Sequence, residues 1–532
     1  MWKRGSFLLV VPAFLAFVGP ALGRAQEVPF EFEAPARIVA VGDVHGAYDN
    51  FVRALTRTGL VDDGHQWIGG ASHLVQTGDV LDRGAESRKV MDLLMSLEGQ
   101  AQAAGGRVHA LIGNHELWNA VGHLPYVSEG ELEAFATDRD EELRKESGLD
   151  AHPGELALRE AYGPEGVYGR WIRKNNAAVK IGDYVFVHGG IMSPSAELGL
   201  GELNRLVREA MNETSWPTSF ANEDDGPLLT RFYSSDDLLA EELPAREAEL
   251  EVVLQSLGAR AMIMGHTVTY GLIEPRFDGR AVLIDAGMLD VYFGGRVAAL
   301  VIEGDRFSAV YDKGSVPLSR TLEGEEGALY LEAVAAASPD DAALGHWLGV
   351  VRCREGRLAE GLALHETVGV LESDVRIPYI WRRDAADCFE KAGEAARAKD
   401  LRIAYLEELG KVPGPYYWNR FARESLRFGY DVDQAFDAAA RAASAAPKNA
   451  AFKETLAWAY LEKGDARRAQ RVLTAARRLR DGESFESLFL MGRAHLLLGN
   501  EEQALASFRD AERVEPGRPE VEAAIAKLVE KE

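Results

Sequence analysis

Short apolar runs, each four to seven residues long and closing on glycine or a polar side chain, recur along the first three-fifths of the chain. They read ARIVAVG, HLVQTG, RVHALIG, DYVFVHG, AMIMGHT, AVLIDAG and RVAALVI. Between them lie stretches with helical spacing. This alternation predicts buried strands joined by crossover helices, hence an α/β layered domain reaching to about residue 318. Ligand sites in such sheets lie just past the carboxyl ends of the strands, so the residues that close the runs carry the interest. An acidic, helix-patterned stretch at 127–175, including SEGELEAFATDRDEELRKE, reads as an inserted helical cap.

From about residue 325 the strand pattern disappears and Ala, Leu, Glu and Arg dominate. Gly356, Gly393, Gly429, Gly464 and Gly499 recur at roughly 34 to 37 residues. Two copies align well. They share a small residue in the first helix (Ala457, Gly492), the turn glycine, an alanine five residues later (Ala469, Ala504), an apolar residue (Leu473, Phe508) and another alanine (Ala476, Ala511). This period resembles the tetratricopeptide repeat, whose paired helices stack into an all-α solenoid. The resemblance implies a concave face able to dock a peptide or protein partner. We therefore expect a catalytic domain over 26–320 and a helical-repeat domain over 325–532.

With 532 residues the chain is long enough for two or more domains. It opens on MWKRGSFLLVVPAFLAFVGPALGRAQ. A basic start at Lys3 and Arg4, an apolar run from Phe7 to Val18 too short to span a bilayer comfortably, and small residues at Ala21 and Gly23 predict a signal peptide over 1–25. The expected product is exported, periplasmic or secreted, without stable membrane insertion. A net charge of −25, from 59 basic and 84 acidic residues, argues against a nucleic-acid partner. Cys353 and Cys388 match neither a zinc nor a redox spacing, and packed thiols are expected.

The chemistry-bearing residues sit where the runs end. AVGDVHGAYDN presents Asp43 and His45 between two glycines. TGDVLDRG supplies Asp79, Asp82 and Arg83, GNHE supplies Asn114 and His115, and VFVHGG and IMGHT end on His188 and His266. Turn chemistry alone explains one such residue but not five strand ends behaving alike. Oxygen and imidazole donors without thiolates suit Mn, Fe, Zn or Mg.

Taken in order, GDVHG, GDVLDRG, GNHE and HGG resemble the signatures of the phosphoprotein-phosphatase family of calcineurin-like metallophosphoesterases. The resemblance spans roughly residues 36–312. GRWIRKNNAAVKIGDYVFVHGGI and IDAGMLDVYFGG look closer to the bacterial Shewanella-like phosphatases than to the eukaryotic Ser/Thr enzymes, whose SAPNYC stretch is absent. It implies a β-sandwich flanked by helices and two metal ions, with Mn, Fe or Zn as candidates. Asp43, His45 and Asp79 would hold one metal; Asp79, Asn114, His188 and His266 would hold the second. Cations ~3.5–4 Å apart need a shared anionic ligand, here Asp79, and together activate a hydroxide that attacks phosphorus directly.

Arg83 would clamp the phosphate, assisted by Asn114 and by a second arginine. Arg231, in GPLLTRFY, is favoured over Arg170, in YGRWI. His115 would be the general acid, oriented and kept charged by Asp82. The remaining eight histidines, His65, His73, His109, His123, His152, His346, His365 and His495, match no motif and read as structural or exposed. The expected activity is phosphomonoester hydrolysis, on phosphotyrosine or phosphoserine/threonine in a protein or on a small phosphomonoester. The alternatives are a dinucleoside-polyphosphate hydrolase, disfavoured by export, and an inactive phosphatase-like scaffold, disfavoured by the intact ligand set with Arg83 and His115.

Overall fold

A strand covered on both faces reads as a continuous apolar run, and Ile38–Val41 is buried at every position. A computed structural model of the chain describes residues 28–148, 151–235, 243–269, 271–290, 295–338, 342–370, 379–412, 414–479 and 484–529. The expected leader over 1–25 lies outside these residues.

All seven apolar runs form strands. In chain order the strands are β1 (Glu31–Phe32), β2 (Ile38–Val41), β3 (His73–Gln76), β4 (Arg107–Ala110), β5 (Ala178–Ile181) and β6 (Tyr184–Val187). They continue as β7 (Ala261–Met264), β8 (Glu274–Arg276), β9 (Ala281–Leu283), β10 (Ala298–Glu303), β11 (Arg306–Tyr311) and β12 (Gly314–Pro317). Two six-stranded sheets result, ordered β1-β5-β6-β7-β9-β8 and β12-β11-β10-β2-β3-β4. Strands β2, β3 and β4 run parallel in one sheet, and β6, β7 and β9 run parallel in the other.

The expected crossovers join the parallel strands of each sheet. Each parallel block is extended by antiparallel strands, β5 and β8 in one sheet and β10, β11 and β12 in the other. β11, RFSAVY, escapes the apolar-run pattern because it is half exposed, and β12 is an edge strand of four residues. The described residues of 127–175 contain four short helices, Glu129–Phe135, Asp140–Ser147, Glu155–Tyr162 and Val167–Ile172.

From residue 342 the described chain is helical. Its helices pair as Ala342–Arg354 with Leu358–Thr367, Tyr379–Lys391 with Ala395–Leu409, and Pro415–Phe428 with Val432–Ala445. Ala450–Glu462 with Ala466–Arg477, and Phe485–Leu497 with Glu501–Val514, complete the series. The turn glycines recur for a conformational reason. Gly356, Gly393, Gly429, Gly464 and Gly499 all have φ between 64° and 82°, in the left-handed region that ends a helix at little cost for glycine alone. The small residues recur for a packing reason. A Cβ on Gly492 would stand 2.5 Å from the Phe508 ring.

Cys353 and Cys388 do not remain thiols; they form a disulfide with Cα atoms 5.5 Å apart. Their separation of 35 residues is the repeat period. The two cysteines therefore take equivalent places on helices Ala342–Arg354 and Tyr379–Lys391, which lie side by side. Read as a motif, that spacing means nothing; read as a period, it brings the sulfurs together.

The chain divides into two compact units, Met1–Leu322 with Ala336–Pro339, and Glu323–Ala335 with Asp340–Glu532, so the main boundary falls between Leu322 and Glu323. A chain ending at residue 322 is therefore expected to fold and to hydrolyse a small aryl phosphate within several-fold of the full-length rate. Circular dichroism and p-nitrophenyl phosphate turnover check this, and an insoluble or inert fragment would show that the units share a core.

Candidate metal centre and active site

The loops after β2, β3 and β4 leave the same end of one sheet, and those after β6, β7 and β9 leave one end of the other. Their backbones are unusual. His45, Asp79, Asp82, Arg83 and His266 all have φ between 47° and 69°, the left-handed region that costs a non-glycine residue about 1–2 kcal/mol. Strained residues of this kind persist where surrounding structure fixes them, and they gather at functional sites. Motif glycines make the fixing possible. A Cβ on Gly113 would lie 2.2 Å from Asp79 Oδ1, and one on Gly265 would lie 2.4 Å from Asp43 Oδ1.

The six expected ligands come together in the interior. His188 Nε2 stands 3.3 Å from Asp79 Oδ2 and 3.0 Å from Asn114 Oδ1, while His266 Nδ1 lies 3.1 Å from His188 Nε2. On the other side His45 Nε2 is 3.8 Å from Asp79 Oδ2 and 4.0 Å from Asp43 Oδ2. Donor atoms of His45, Asp79 and His115 lie within 4.8 Å of one another, as do those of Asp79, His188 and His266. Asp79 belongs to both groups.

Each ligand imidazole is pinned by its other nitrogen to a backbone carbonyl. His45 Nδ1 donates to Leu81 O at 2.8 Å, His188 Nδ1 to Thr77 O at 2.9 Å, and His266 Nε2 to Leu229 O at 3.1 Å. Metal-binding histidines are held in one tautomer this way, which leaves the inward nitrogen's lone pair for a cation. The electrostatics agree. Burial, with His115 next, holds His45 well below its usual range, and burial with Arg231 does the same to His266, so both stay neutral. Burial pushes Asp79 up, but His188, His115 and His45 outweigh it and keep the carboxyl well below its usual range. Burial pulls His188 down, but the Asp79 carboxylate beside it outweighs burial and raises it, while burial, with Asp285 and Asp79 next, raises Asp43 well above its usual range. Imidazole and carboxylate donors packed this closely, two of the imidazoles neutral and Asp79 an anion, fit a pair of divalent cations.

Beside this cluster His115 Nδ1 donates to Asp82 Oδ2 at 2.6 Å, and Asn119 Nδ2 donates to the other Asp82 oxygen at 2.9 Å. The opposite nitrogen, Nε2, faces the cluster 3.7 Å from Asp79 Oδ2 and 3.5 Å from Arg83 Nη2. Arg83 also lies over the ring of Tyr126, 5.5 Å from its centroid. Tyr126 stacks on Trp118 and sits 5.2 Å from the His115 ring, with 47% of its surface exposed. Arg231 reaches the same place, its Nη2 3.4 Å from His266 O. Arg170 does not join them. Its described partners are both on Glu165, the carbonyl and, at 4.0 Å, a carboxylate oxygen.

Two contributors escaped the motif reading. Glu116, the last residue of GNHE, accepts hydrogen bonds from the backbone N–H groups of Asp79, Val80 and Gly113 at 2.8, 2.9 and 2.8 Å. It ties the second motif to the third. Burial, with Asp79 next, pushes its carboxyl to about 7. Asp285 follows β9 and shares a hydrogen bond with Asp43. Burial raises it to about 6. The signal for Asp285 was present in AVLIDAG, an apolar run closing on Asp and Gly like the others.

A two-sheet α/β domain whose strand ends converge on a carboxylate-bridged imidazole cluster is the architecture of a metallophosphoesterase. Residues 36–270 match the calcineurin-like phosphoesterase family. The chain is 33% identical over 289 residues to Shewanella-like protein phosphatase 2 of Arabidopsis thaliana, covering 48% of this chain and 72% of that one. It is 28% identical over 240 residues to Shewanella-like protein phosphatase 1 of Plasmodium berghei, covering 43% and 61%. Among solved structures, the cold-active protein-tyrosine phosphatase of a psychrophilic Shewanella species is 29% identical, covering 55% of this chain and 83% of that one at a TM-score of 0.46. This chain belongs to the calcineurin-like phosphoesterases and is a metal-dependent phosphoesterase with Shewanella-like protein phosphatases as relatives.

Gly113→Ala tests the packing of the centre. The added methyl would stand 2.2 Å from Asp79 Oδ1 and 2.6 Å from the Asp79 backbone nitrogen, so the carboxylate and the backbone that carries it must move. The variant is expected to stay folded, to lose bound metal and to lose roughly 10²-fold in turnover, the scale set by a displacement of about 1 Å in a catalytic group. Retained metal and activity would mean that Asp79 is not held by this contact.

Proposed function

We propose that this chain is an exported protein phosphatase that hydrolyses phosphomonoesters directly, without a phosphoenzyme. One observation carries the reading: the His115–Asp82 pair, 2.6 Å apart, with its other imidazole nitrogen facing the ligand cluster and Arg83. When bound by Asp43, His45, Asp79, Asn114, His188 and His266, two metals supply Lewis-acid activation of water and charge neutralisation at phosphorus. The protein's own groups do the rest. Arg83 and Arg231 bind and orient the phosphoryl oxygens, with Asn114 at the same site. Asp82 holds His115 in one orientation through the Nδ1 hydrogen bond, and His115 Nε2 delivers a proton to the departing oxygen. Tyr126, stacked on Trp118 with Arg83 over its ring, keeps 47% of its surface exposed, and the ring of a phosphotyrosine can pack against that exposed part.

The relatives named as protein phosphatases support a phosphoprotein substrate. The helical hairpins give a surface for docking that protein or a partner peptide. The apolar leader motif and the Cys353–Cys388 disulfide support export into an oxidising compartment, periplasmic or extracellular. Among the described residues no helix is long and apolar enough to cross a membrane.

The role of His115 is tested by leaving group. An alkoxide needs its proton, whereas p-nitrophenolate leaves almost unaided, and general acid catalysis is worth ~10²–10⁴-fold. His115→Asn is expected to cut turnover steeply on phosphoserine peptides and far less on p-nitrophenyl phosphate, with metal content unchanged. Asp82→Asn is expected to show the same bias more weakly. Equal losses on both substrates together with lost metal would make His115 a ligand instead.

Tyr126 sets preference rather than chemistry. Tyr126→Ala is expected to raise KM about fivefold or more for a phosphotyrosine peptide, from loss of roughly 1 kcal/mol of aromatic contact. KM for the matching phosphoserine peptide should stay unchanged. An equal rise for both would remove the ring from substrate recognition.

A further inference from the structure

Away from the active site, the first helical hairpins enclose a second cluster of metal-binding side chains. Cys353 lies on helix Ala342–Arg354, His365 on Leu358–Thr367 and Cys388 on Tyr379–Lys391. Donor atoms of all three lie within 4.8 Å of one another, and all three side chains are buried. His365 has no exposed surface, and neither ring nitrogen has a hydrogen-bond partner among the described residues. A buried imidazole without partners is costly, because both nitrogens lose their water and regain nothing. The neighbouring His346 does not relieve it. Its ring lies 5.2 Å away, stacked on Trp381, and its Nε2 is engaged by Asp384 at 3.3 Å.

The surrounding helices make room for these atoms. Gly361 faces Cys353, where a Cβ would stand 2.2 Å from Sγ, and Gly349 faces His365, where a Cβ would stand 3.1 Å from Cε1. Neither glycine is at a helix end or in a left-handed conformation, and glycine inside a helix is unfavourable. Both positions serve the sulfur and the ring beside them. Burial holds His365 down to about 3, so the ring is neutral, the form that binds a cation.

We propose that Cys353, His365 and Cys388 form a thiolate–imidazole site for a borderline cation of the zinc class, open when the disulfide is reduced and closed when it forms. Two sulfurs and one imidazole nitrogen make three of the four donors that a tetrahedral cation takes. The disulfide and the metal compete for the same sulfur atoms. A phosphine reductant opens the site by taking an oxygen from water to become phosphine oxide, while both protons of that water go to the two sulfurs. Each thiol then gives up its proton on binding, so one divalent cation releases two protons.

The test uses the full chain and cobalt(II) as probe. The chain has only two cysteines, so a sulfur-to-cobalt charge-transfer band reports this site and is blind to the phosphoesterase centre. After phosphine reduction under nitrogen, wild-type protein is expected to develop that band, saturating when one more cobalt per chain is bound than in the oxidised protein, and lost on adding zinc. The oxidised protein should show none. His365→Ala should bind cobalt at this site at least tenfold more weakly, since losing even an outer partner of a metal ligand costs about 10–100-fold. Far-ultraviolet circular dichroism accompanies each titration. A reduced chain that loses helix and regains it with cobalt as the sulfur band grows also supports the site. No band in reduced protein, folded or unfolded, or equal cobalt affinity in His365→Ala, overturns it.

Discussion

Asp79 has a side chain only 3% exposed, and three imidazoles, His188, His115 and His45, have nitrogens within 3.8 Å of one of its oxygens. Its other oxygen accepts the backbone N–H of His115 at 3.1 Å. Burying an anion is tolerable only if its charge is answered on every side. Around Asp79 that answer comes from loops following several different strands. The arrangement therefore requires β2, β3 and β4 to end together, opposite the ends of β6 and β7. It also requires the left-handed backbone at His45, Asp79 and His266, which turns each residue inward at the moment the strand stops. Gly113 and Gly265 follow from the same demand, since any side chain there would displace a carboxylate.

Much of this was legible in the amino-acid sequence because the site is built from strand ends. An apolar run that closes on Asp, Asn or His beside glycine states both where the strand stops and what it presents. Asp43, His45, Asp79, Asn114, His115, His188 and His266 were readable as candidates on that rule; their division between two metals and the roles of His115, Asp82 and Arg83 came from the family resemblance, and the structure draws all of them together. Asp285 obeys the same rule and was passed over because its run, AVLIDAG, was counted only as a strand. Glu116 was invisible for a different reason. It acts on backbone N–H groups rather than on side chains, and nothing in its residue type reveals that. The two arginines divide on tertiary placement, which no local pattern encodes: Arg231 meets His266, whereas Arg170 turns to Glu165.

In the helical unit the period was legible and its consequence was not. Glycine spacing gave the hairpins, because only the turn residue needs a left-handed backbone. The same period of 35 residues governs Cys353 and Cys388, so the two thiols meet. A spacing judged against metal and redox motifs has to be judged also against the repeat that contains it. The two halves thus obey different constraints. The first is organised by charge that must be neutralised, the second by small residues that let helices approach.

The central claim, a carboxylate shared by two cation sites, is tested most directly by the metal content of purified active protein against that of Asp79→Asn. Elemental analysis is expected to give about two metals per chain for the wild type. Asp79→Asn removes the charge common to both sites and should bind far less than one metal while its circular dichroism is unchanged. One metal per chain in fully active wild-type enzyme, or a variant that keeps both, would contradict the account.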